Sequence, residues 1–379
     1  MVTFQPHVVD ENLPVQVLKL KGKYSNPSTP LRSIFKPQNE FSEKLSDNNT
    51  FLVEVFQQLE SKNVEAIIKS RSESEKLNKI LNAKMIKDAL NIFIFDIKDT
   101  FPKGRELENL LHILNFESTI NDNLVCLPFS SSISVLDNYE KVYKILSDKT
   151  KETYDTLQNF IKKEENIIAY VPIFNIGGQF LENLIKGYIK RDINSFLFDF
   201  GGKHIEMFRG QISIILKLRD MLIKEHKKTF FYSFNSFMGR ISKTREYIPA
   251  RDFLTVFVGF DCFGPSHKRY RLKKEIADKI KEEEKGKFKI FRKEDYAYKV
   301  YDKKEAGKLT DTQNPSIGVK KYNAAEHVNE LEKIKKEINE KNTCVKILEK
   351  KKEAFSIVSK VLKTGKASLL TSKLFKFHK

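Results

Sequence analysis

Along this chain, short and almost wholly apolar runs end on polar or glycine residues and give way to stretches whose apolar positions recur every three or four residues. "NIFIFDIKDTFPKG" (91–104) leads into "RELENLLHIL", "NLVCLPFSSS" (123–132) into "LDNYEKVYKIL", and "NIIAYVPIFNIGG" (166–178) into "QFLENLIKGYIKR". "NSFLFDFGGKH" (194–204) precedes "GQISIILKLRDMLIKEH", "KTFFYSFNS" (228–236) precedes a segment from Arg251 to Leu254, and "TVFVGFDCFGPS" (255–266) precedes "KKEIADKIKEEE". Runs apolar nearly throughout, alternating with helical segments, predict parallel strands covered on the outside. At least six such units, with no dinucleotide GxGxxG, favour an α/β fold of the (β/α)8 TIM-barrel type over a doubly wound sheet.

In such a barrel the βα loops converge at the C-terminal ends of the strands, and ligands are met there. The polar residues that close each run therefore become candidates: Asp96, Asn175, Asp199 with Gly201 and Gly202, Asn235, and Asp261. Beyond Lys274 the composition turns Lys/Glu-rich. There "KFKIFRKEDYAYKVYD" predicts a strand pair, "AGKLTDTQNPSIGVKKYN" a loop, and "NAAEHVNELEKIKKEINE" a helix with Val328, Leu331, Ile334 and Ile338 on one face. The resulting plan is an N-terminal β segment over 1–28, the barrel over 29–345, and a C-terminal basic helical extension over 346–379. Residues 349–379 carry nine Lys against two Glu, which suits either a basic helix with a phosphate-touching tail or a solvated end.

Composition sharpens this picture in three places. The chain has 379 residues, is 40% hydrophobic and holds 30 Phe, enough for a large core. An excess of 68 Lys+Arg over 50 Asp+Glu gives +18, which points to a polyanionic partner, nucleic acid before an anionic membrane. Cys126, Cys262 and Cys344 lie far apart with no CxxC pairing, so neither a disulfide framework nor a zinc knuckle is encoded. The longest apolar run, "IIAYVPIF", is far too short to span a bilayer and the first residues lack a signal-type apolar core, so the expectation is a soluble, cytoplasmic protein with no membrane role.

The candidate chemistry is acidic. Three carboxylates from three strands, Asp96, Asp199 and Asp261, would repel one another in one cavity and call for a cationic or hydrogen-bonding ligand. Two carboxylates flanking an anomeric carbon can perform double displacement: one attacks, the other moves the proton, and a covalent glycosyl intermediate links the halves. That chemistry needs neither metal nor redox cofactor. Gly201 and Gly202 would let backbone N–H groups approach a planar ligand, and Phe234 could lie against a flipped base. Each carboxylate also has a plain structural reading as a helix cap or turn residue.

"RDFLTVFVGFDCFGPSHKR" resembles the strand and loop that carry the nucleophile in tRNA-guanine transglycosylases, barrel enzymes that exchange guanine for a 7-deazaguanine. "STPLRSIF" is similar to the family's first strand and "FIFDIKD" takes the place of its Asp-Ser-Gly-Gly motif. "YVPIFNIGGQFLENLI" resembles its base-contacting Gln-Gly segment, "FLFDFGG" its later Gly-Gly, and "NAAEHVNELEKIKKEI" its C-terminal helix, so that divergent motifs cover residues 28–340 in order. The resemblance implies Asp261 as nucleophile, Asp96 as general acid/base, and Asp199, Gly201, Gly202, Asn175 and Phe234 around the base. It places His267, Lys268, Arg269 and Arg271 on the nucleic-acid backbone. The implied partners are nucleic acid, DNA or tRNA, and a 7-deazaguanine base, with self-association or pairing to a homologue compatible. "GFDCFG" looks closer to the branch that modifies DNA.

The departures are equally specific. The family's nucleophile strand reads Gly-x-Asp-x-Phe-Asp, and its final position here is Gly264. "CLPFSSS" leaves Ser130, Ser131 and Ser132 where the family has a base-reading Asp, and "NPSIGVKK" lacks its zinc cysteines, so no metal is expected. Two other readings therefore stand beside base exchange: a catalytically degenerate nucleic-acid-binding partner of an active homologue, and an unrelated barrel hydrolase acting on a small substrate.

Overall fold

The chain, seen in a computed structural model, is described over residues 3–22, 26–34, 51–86, 89–98, 101–102, 104–114, 123–130, 133, 136, 138–157, 167–241, 246–267 and 285–363. An antiparallel hairpin of β1 (Thr3–Val9) and β2 (Gln16–Lys21) comes first. Then come β3 (Leu31–Ile34), β4 (Phe51–Leu59), β5 (Asn91–Ile97), β6 (Leu124–Cys126), β7 (Ile167–Val171), β8 (Phe196–Asp199), β9 (Phe231–Phe234), the outlying β10 (Tyr247–Pro249), and β11 (Cys262–Phe263). Strands β3 to β9 pair in chain order, and β11 closes the cylinder between β9 and β3 through Cys262 opposite Tyr232 and Leu31, so the eight barrel strands are all parallel.

Helices follow the strands as the alternation predicts: α1 (Ser61–Lys69) and α2 (Arg71–Lys84) after β4, α3 (Gly104–Leu114) after β5, α4 (Tyr139–Leu157) after β6, α5 (Gly178–Ile189) after β7 and α6 (Arg209–Lys224) after β8. The protein is an α/β barrel of the (β/α)8 class. Phenylalanines pack between the barrel and its helices, with Phe196, Phe198, Phe231 and Phe260 meeting edge to face or tilted at centroid distances of 5.2–5.8 Å. Outside the barrel, β12 (Phe288–Arg292) and β13 (Ala297–Tyr301) form the expected strand pair and extend through β13 to β10.

Three expectations change. The apolar run "TVFVGFDCFG" is not one strand: Phe253–Val258 is a buried 3-10 helix, Gly259 ends it at φ 98°, and the strand begins only at Cys262. A short apolar run reads alike as strand or buried helix, and burial alone cannot separate them. The stretch predicted as a loop is largely helical, split between α7 (Lys303–Thr310) and α8 (Pro315–Lys341). Asp302 and Glu305 form a capping box at the start of α7, and Pro315 occupies the first turn of α8, where no N–H is needed. Val328, Leu331, Ile334 and Ile338 are all buried on α8. Finally, the basic extension begins as packed structure: after α9 (Val345–Glu349), α10 (Lys352–Lys363) buries Ala354, Ile357, Val358, Val361 and Leu362, and packs on α6 and the 3-10 helix. Residues 364–379 lie outside the described residues.

One clasp joins distant parts of the chain below the barrel. Asp10, after β1, accepts from the backbone N–H of Leu13 at 2.9 Å and of Cys344 at 2.6 Å, and Asn12 donates to the Thr343 hydroxyl at 2.9 Å. Among the described residues, no helix is long and apolar enough to cross a membrane.

Candidate functional site

Side chains alternate along a strand, so Glu54, Phe56 and Gln58 share one face of β4, and Tyr232 and Phe234 one face of β9. β3 and β11 separate these two strands, and contacts between them therefore cross the barrel interior. The Tyr232 hydroxyl donates to Glu54 Oε2, the Ser33 hydroxyl donates to the same oxygen at 3.0 Å, and the two hydroxyls lie 2.6 Å apart. Burial first, then Glu54, pushes the Tyr232 hydroxyl far above its ordinary range, so it stays a donor. The other oxygen, Oε1, pairs with Nε2 of His267, which drops into the barrel from the segment just after β11. The Glu54 side chain is fully buried and that of His267 only 7% exposed. The imidazole rests on Phe56, with ring centroids 4.0 Å apart, and on Phe234 at 5.1 Å.

A second acidic group lies at the strand ends. Asp96, fully buried near the end of β5, accepts from Gln58 Nε2 at 2.8 Å. Asp199, the last residue of β8, accepts from the Tyr170 hydroxyl at 2.8 Å, from Gly201 N–H at 2.7 Å and from Asn235 Nδ2 at 3.0 Å. Burial, then Asp199 and more weakly Asp96, holds the Tyr170 hydroxyl protonated, so both carboxylates act on one phenol. Tyr170 stacks face to face on Phe129, with centroids 3.8 Å apart. Asn235 joins the two groups: while its amide nitrogen serves Asp199, its Oδ1 accepts the His267 backbone N–H at 2.7 Å. Its φ of 55° lies in the left-handed region, which Asn tolerates better than most residues.

The structure brings together Asp96, Asp199, Asn235, Phe234 and His267, and adds Glu54, Ser33, Tyr170 and Tyr232. It separates Asp261 from them. Because β11 starts at Cys262, Asp261 sits at the N-terminal end of the barrel, where its carboxylate accepts from the N–H of Phe231, the first residue of β9, at 2.8 Å, and from Arg219 at 2.6 Å. Burial pushes its carboxyl above the usual range even beside Arg219. Asp261 and Asp96 stand at opposite ends of the cylinder, so they cannot be the two partners of one double displacement, which act about 5–10 Å apart.

Other expectations are adjusted in detail. Gly201 and Gly202 have φ of 59° and 76° as a tight turn, but their N–H groups go to Asp199 and to the Asn235 carbonyl rather than toward a ligand. Asn175 braces a neighbouring loop by donating to the Ile133 carbonyl at 3.4 Å. His267 fills the interior instead of gripping a phosphate backbone; Lys268, Arg269, Arg271, Ser131 and Ser132 lie outside the described residues. Gly264 has a physical reason: a Cβ there would come within 2.6 Å of Ser33 Oγ and 2.7 Å of Glu54 Oε2, and would also run into the Tyr232 hydroxyl. The place toward which a 264 side chain would point is taken by Glu54. Glu54 escaped the sequence reading because "FLVEVFQQL" was not recognised as a strand, although a carboxylate set in an apolar run was the available signal.

At the rim, Glu206 accepts from Arg251, and His204 Nδ1 lies 3.1 Å from its Oε2. Burial works to raise its carboxyl, but His204 and Arg251 beside it prevail and hold it at about 2. Among the described residues no cluster of three or more His, Cys, Asp or Glu side chains could hold a metal ion, and Cys126, Cys262 and Cys344 are buried free thiols. Fold and site together define a (β/α)8 barrel whose mouth and interior carry a hydrogen-bonded acidic and aromatic network. No family model matches the chain, and no curated protein matches it in sequence.

Proposed function

We propose that the barrel mouth exchanges a purine-type base on nucleic acid by double displacement, with Asp199 as the attacking carboxylate and Asp96 as the proton carrier. The observation that carries this reading is that Asp199 holds the Tyr170 hydroxyl while Asp96 bridges to Phe129, on whose ring Tyr170 stacks, at the strand ends where barrel ligands bind. Three donors fix the orientation of Asp199, as an attacking group requires. Asp199 attacks the anomeric carbon, the N-glycosidic bond breaks, and Asp96 protonates the departing base; the incoming base then gives its proton to Asp96 and displaces the aspartyl ester. The resemblance to guanine transglycosylases suggests guanine as the leaving base and a 7-deazaguanine as the incoming one. The +18 charge favours a polyanionic substrate.

The test is exchange of radiolabelled guanine or 7-deazaguanine into DNA and into tRNA, followed by mass spectrometry of the trapped adduct. Sugar on Asp199 supports the reading; no label in either polymer overturns it. One observation favours a second reading, a non-catalytic nucleic-acid-binding partner of an active homologue: His267 occupies the barrel interior below the mouth. In that case the chain stimulates an active transglycosylase, and Asp96→Asn changes nothing.

A further inference from the structure

The interior of this barrel holds an arrangement that the carboxylate pair above does not use. Glu54 is a fully buried carboxylate, and its Oε2 is satisfied by Tyr232 and Ser33. Its Oε1 faces His267, whose ring lies on Phe56 and Phe234 with interplanar angles of 33° and 29°. A flat, nitrogen-bearing five-membered ring thus packs against two phenyl rings, whose own centroids lie 6.1 Å apart, and turns one edge to a carboxylate. Aromatic contact together with a hydrogen bond at the edge is how proteins hold a planar heterocycle.

The ring also belongs to a segment that is neither strand nor helix. Residues 264–267 run from the end of β11 over the mouth, and the His267 backbone is held by Asn235 at 2.7 Å. The groups that receive the imidazole all stand on rigid barrel strands: Glu54 and Phe56 on β4, Ser33 on β3, Tyr232 and Phe234 on β9. A preformed seat on rigid elements, filled by a side chain from an irregular segment, is the geometry of a built-in competitor.

From this geometry we infer that His267 occupies a binding seat for a planar N–H heterocycle of the nucleobase kind, with Glu54 Oε1 as the N–H acceptor and Phe56 and Phe234 as the stacking walls, and that ligand and imidazole exclude one another. A purine contains a fused imidazole ring, so its five-membered part can take the place of the side chain on the same walls. A ligand competing with a tethered ring binds more weakly by the fraction of time the seat is open. The inference names the base seat of the reaction proposed above and in that sense rests on it, but binding can be measured without turnover.

The experiment is equilibrium binding of guanine and of free imidazole to the full chain by calorimetry, in His267→Ala and in wild type. His267→Ala is expected to bind both at least tenfold more tightly than wild type, and adding Glu54→Gln or Phe56→Ala to it is expected to remove that gain. If the folded His267→Ala protein binds neither, or if Glu54→Gln leaves its affinity unchanged, the inference falls. Should His267→Ala fail to fold, the wild-type protein still decides: saturating guanine must shift the imidazole proton resonances assigned to His267 through their disappearance in His267→Gln, and unmoved resonances overturn the seat. Guanine binding in His267→Ala without label exchange would instead sink the reaction and leave the seat standing.

Discussion

The two ends of this barrel both bury carboxylates, and they answer them differently. At the N-terminal end Asp261 meets a guanidinium and a backbone N–H: Arg219 also donates to the Gly259 carbonyl and to Pro14 O at 3.3 Å, so charge and donors are matched by permanent partners. At the C-terminal end and in the interior beneath it, Asp96, Asp199 and Glu54 meet hydroxyls, amides and an imidazole, partners that a ligand's own donors can replace. A buried ion pair with complete satisfaction locks structure, whereas hydroxyl, amide and imidazole donors around acids leave room for exchange. The contrast follows the division found across this fold, stability at the bottom and chemistry at the top.

Four experiments break or sharpen that contrast, the largest effect first. Asp96→Asn is expected to lower label exchange by about a thousandfold, the scale of general acid–base catalysis, with little change in melting temperature; a rate within threefold of wild type would remove Asp96 from the chemistry. Asp261→Asn strands Arg219 as an unpaired buried cation and should cost about 3 kcal/mol in denaturant titrations, while exchange per folded molecule is kept. Gly264→Ala drives a methyl into Ser33, Tyr232 and Glu54 and should cost about 2 kcal/mol. Tyr232→Phe removes one obstructing oxygen, so the double variant should be more stable than the summed single losses require. The smallest effect is at the rim. Because Glu206 titrates at about 2 in the folded chain against an ordinary 4.5, its contribution is present above pH 4.5 and lost as pH falls toward 2. Glu206→Gln should therefore cost about 1 kcal/mol at neutral pH and flatten the acid limb, because the loss fades as pH falls below 4.5 toward 2 and the two proteins converge; melting curves from pH 2.5 to 7 would check this.

The barrel was legible because its strands are apolar on both faces and its helices are amphipathic, two periods that differ along the chain. Asp96, Asp199, Asn235 and Phe234 were found for the same reason: each closes or follows a strand that was read correctly. Asp261 failed on the run before it. Six buried residues from Phe253 to Val258 look like a strand, but they coil as a 3-10 helix, and one misread element moved an aspartate from one end of the barrel to the other. Glu54 failed in the opposite way, through a strand that went unread. Tyr170 and Tyr232 carried no local signal at all, since their importance lies in hydroxyls that reach residues 29 and 178 positions away.

The clasp at Asp10 has a consequence for the order of assembly. A carboxylate near the start of the chain is satisfied by the N–H of Cys344, 334 positions later, and β3 finds its second neighbour only when β11 is present. During synthesis on the ribosome the hairpin of β1 and β2 must therefore wait, with its acidic turn in water, until the segment around Cys344 has emerged. Sealing the base of the cylinder therefore follows the synthesis of every one of its strands.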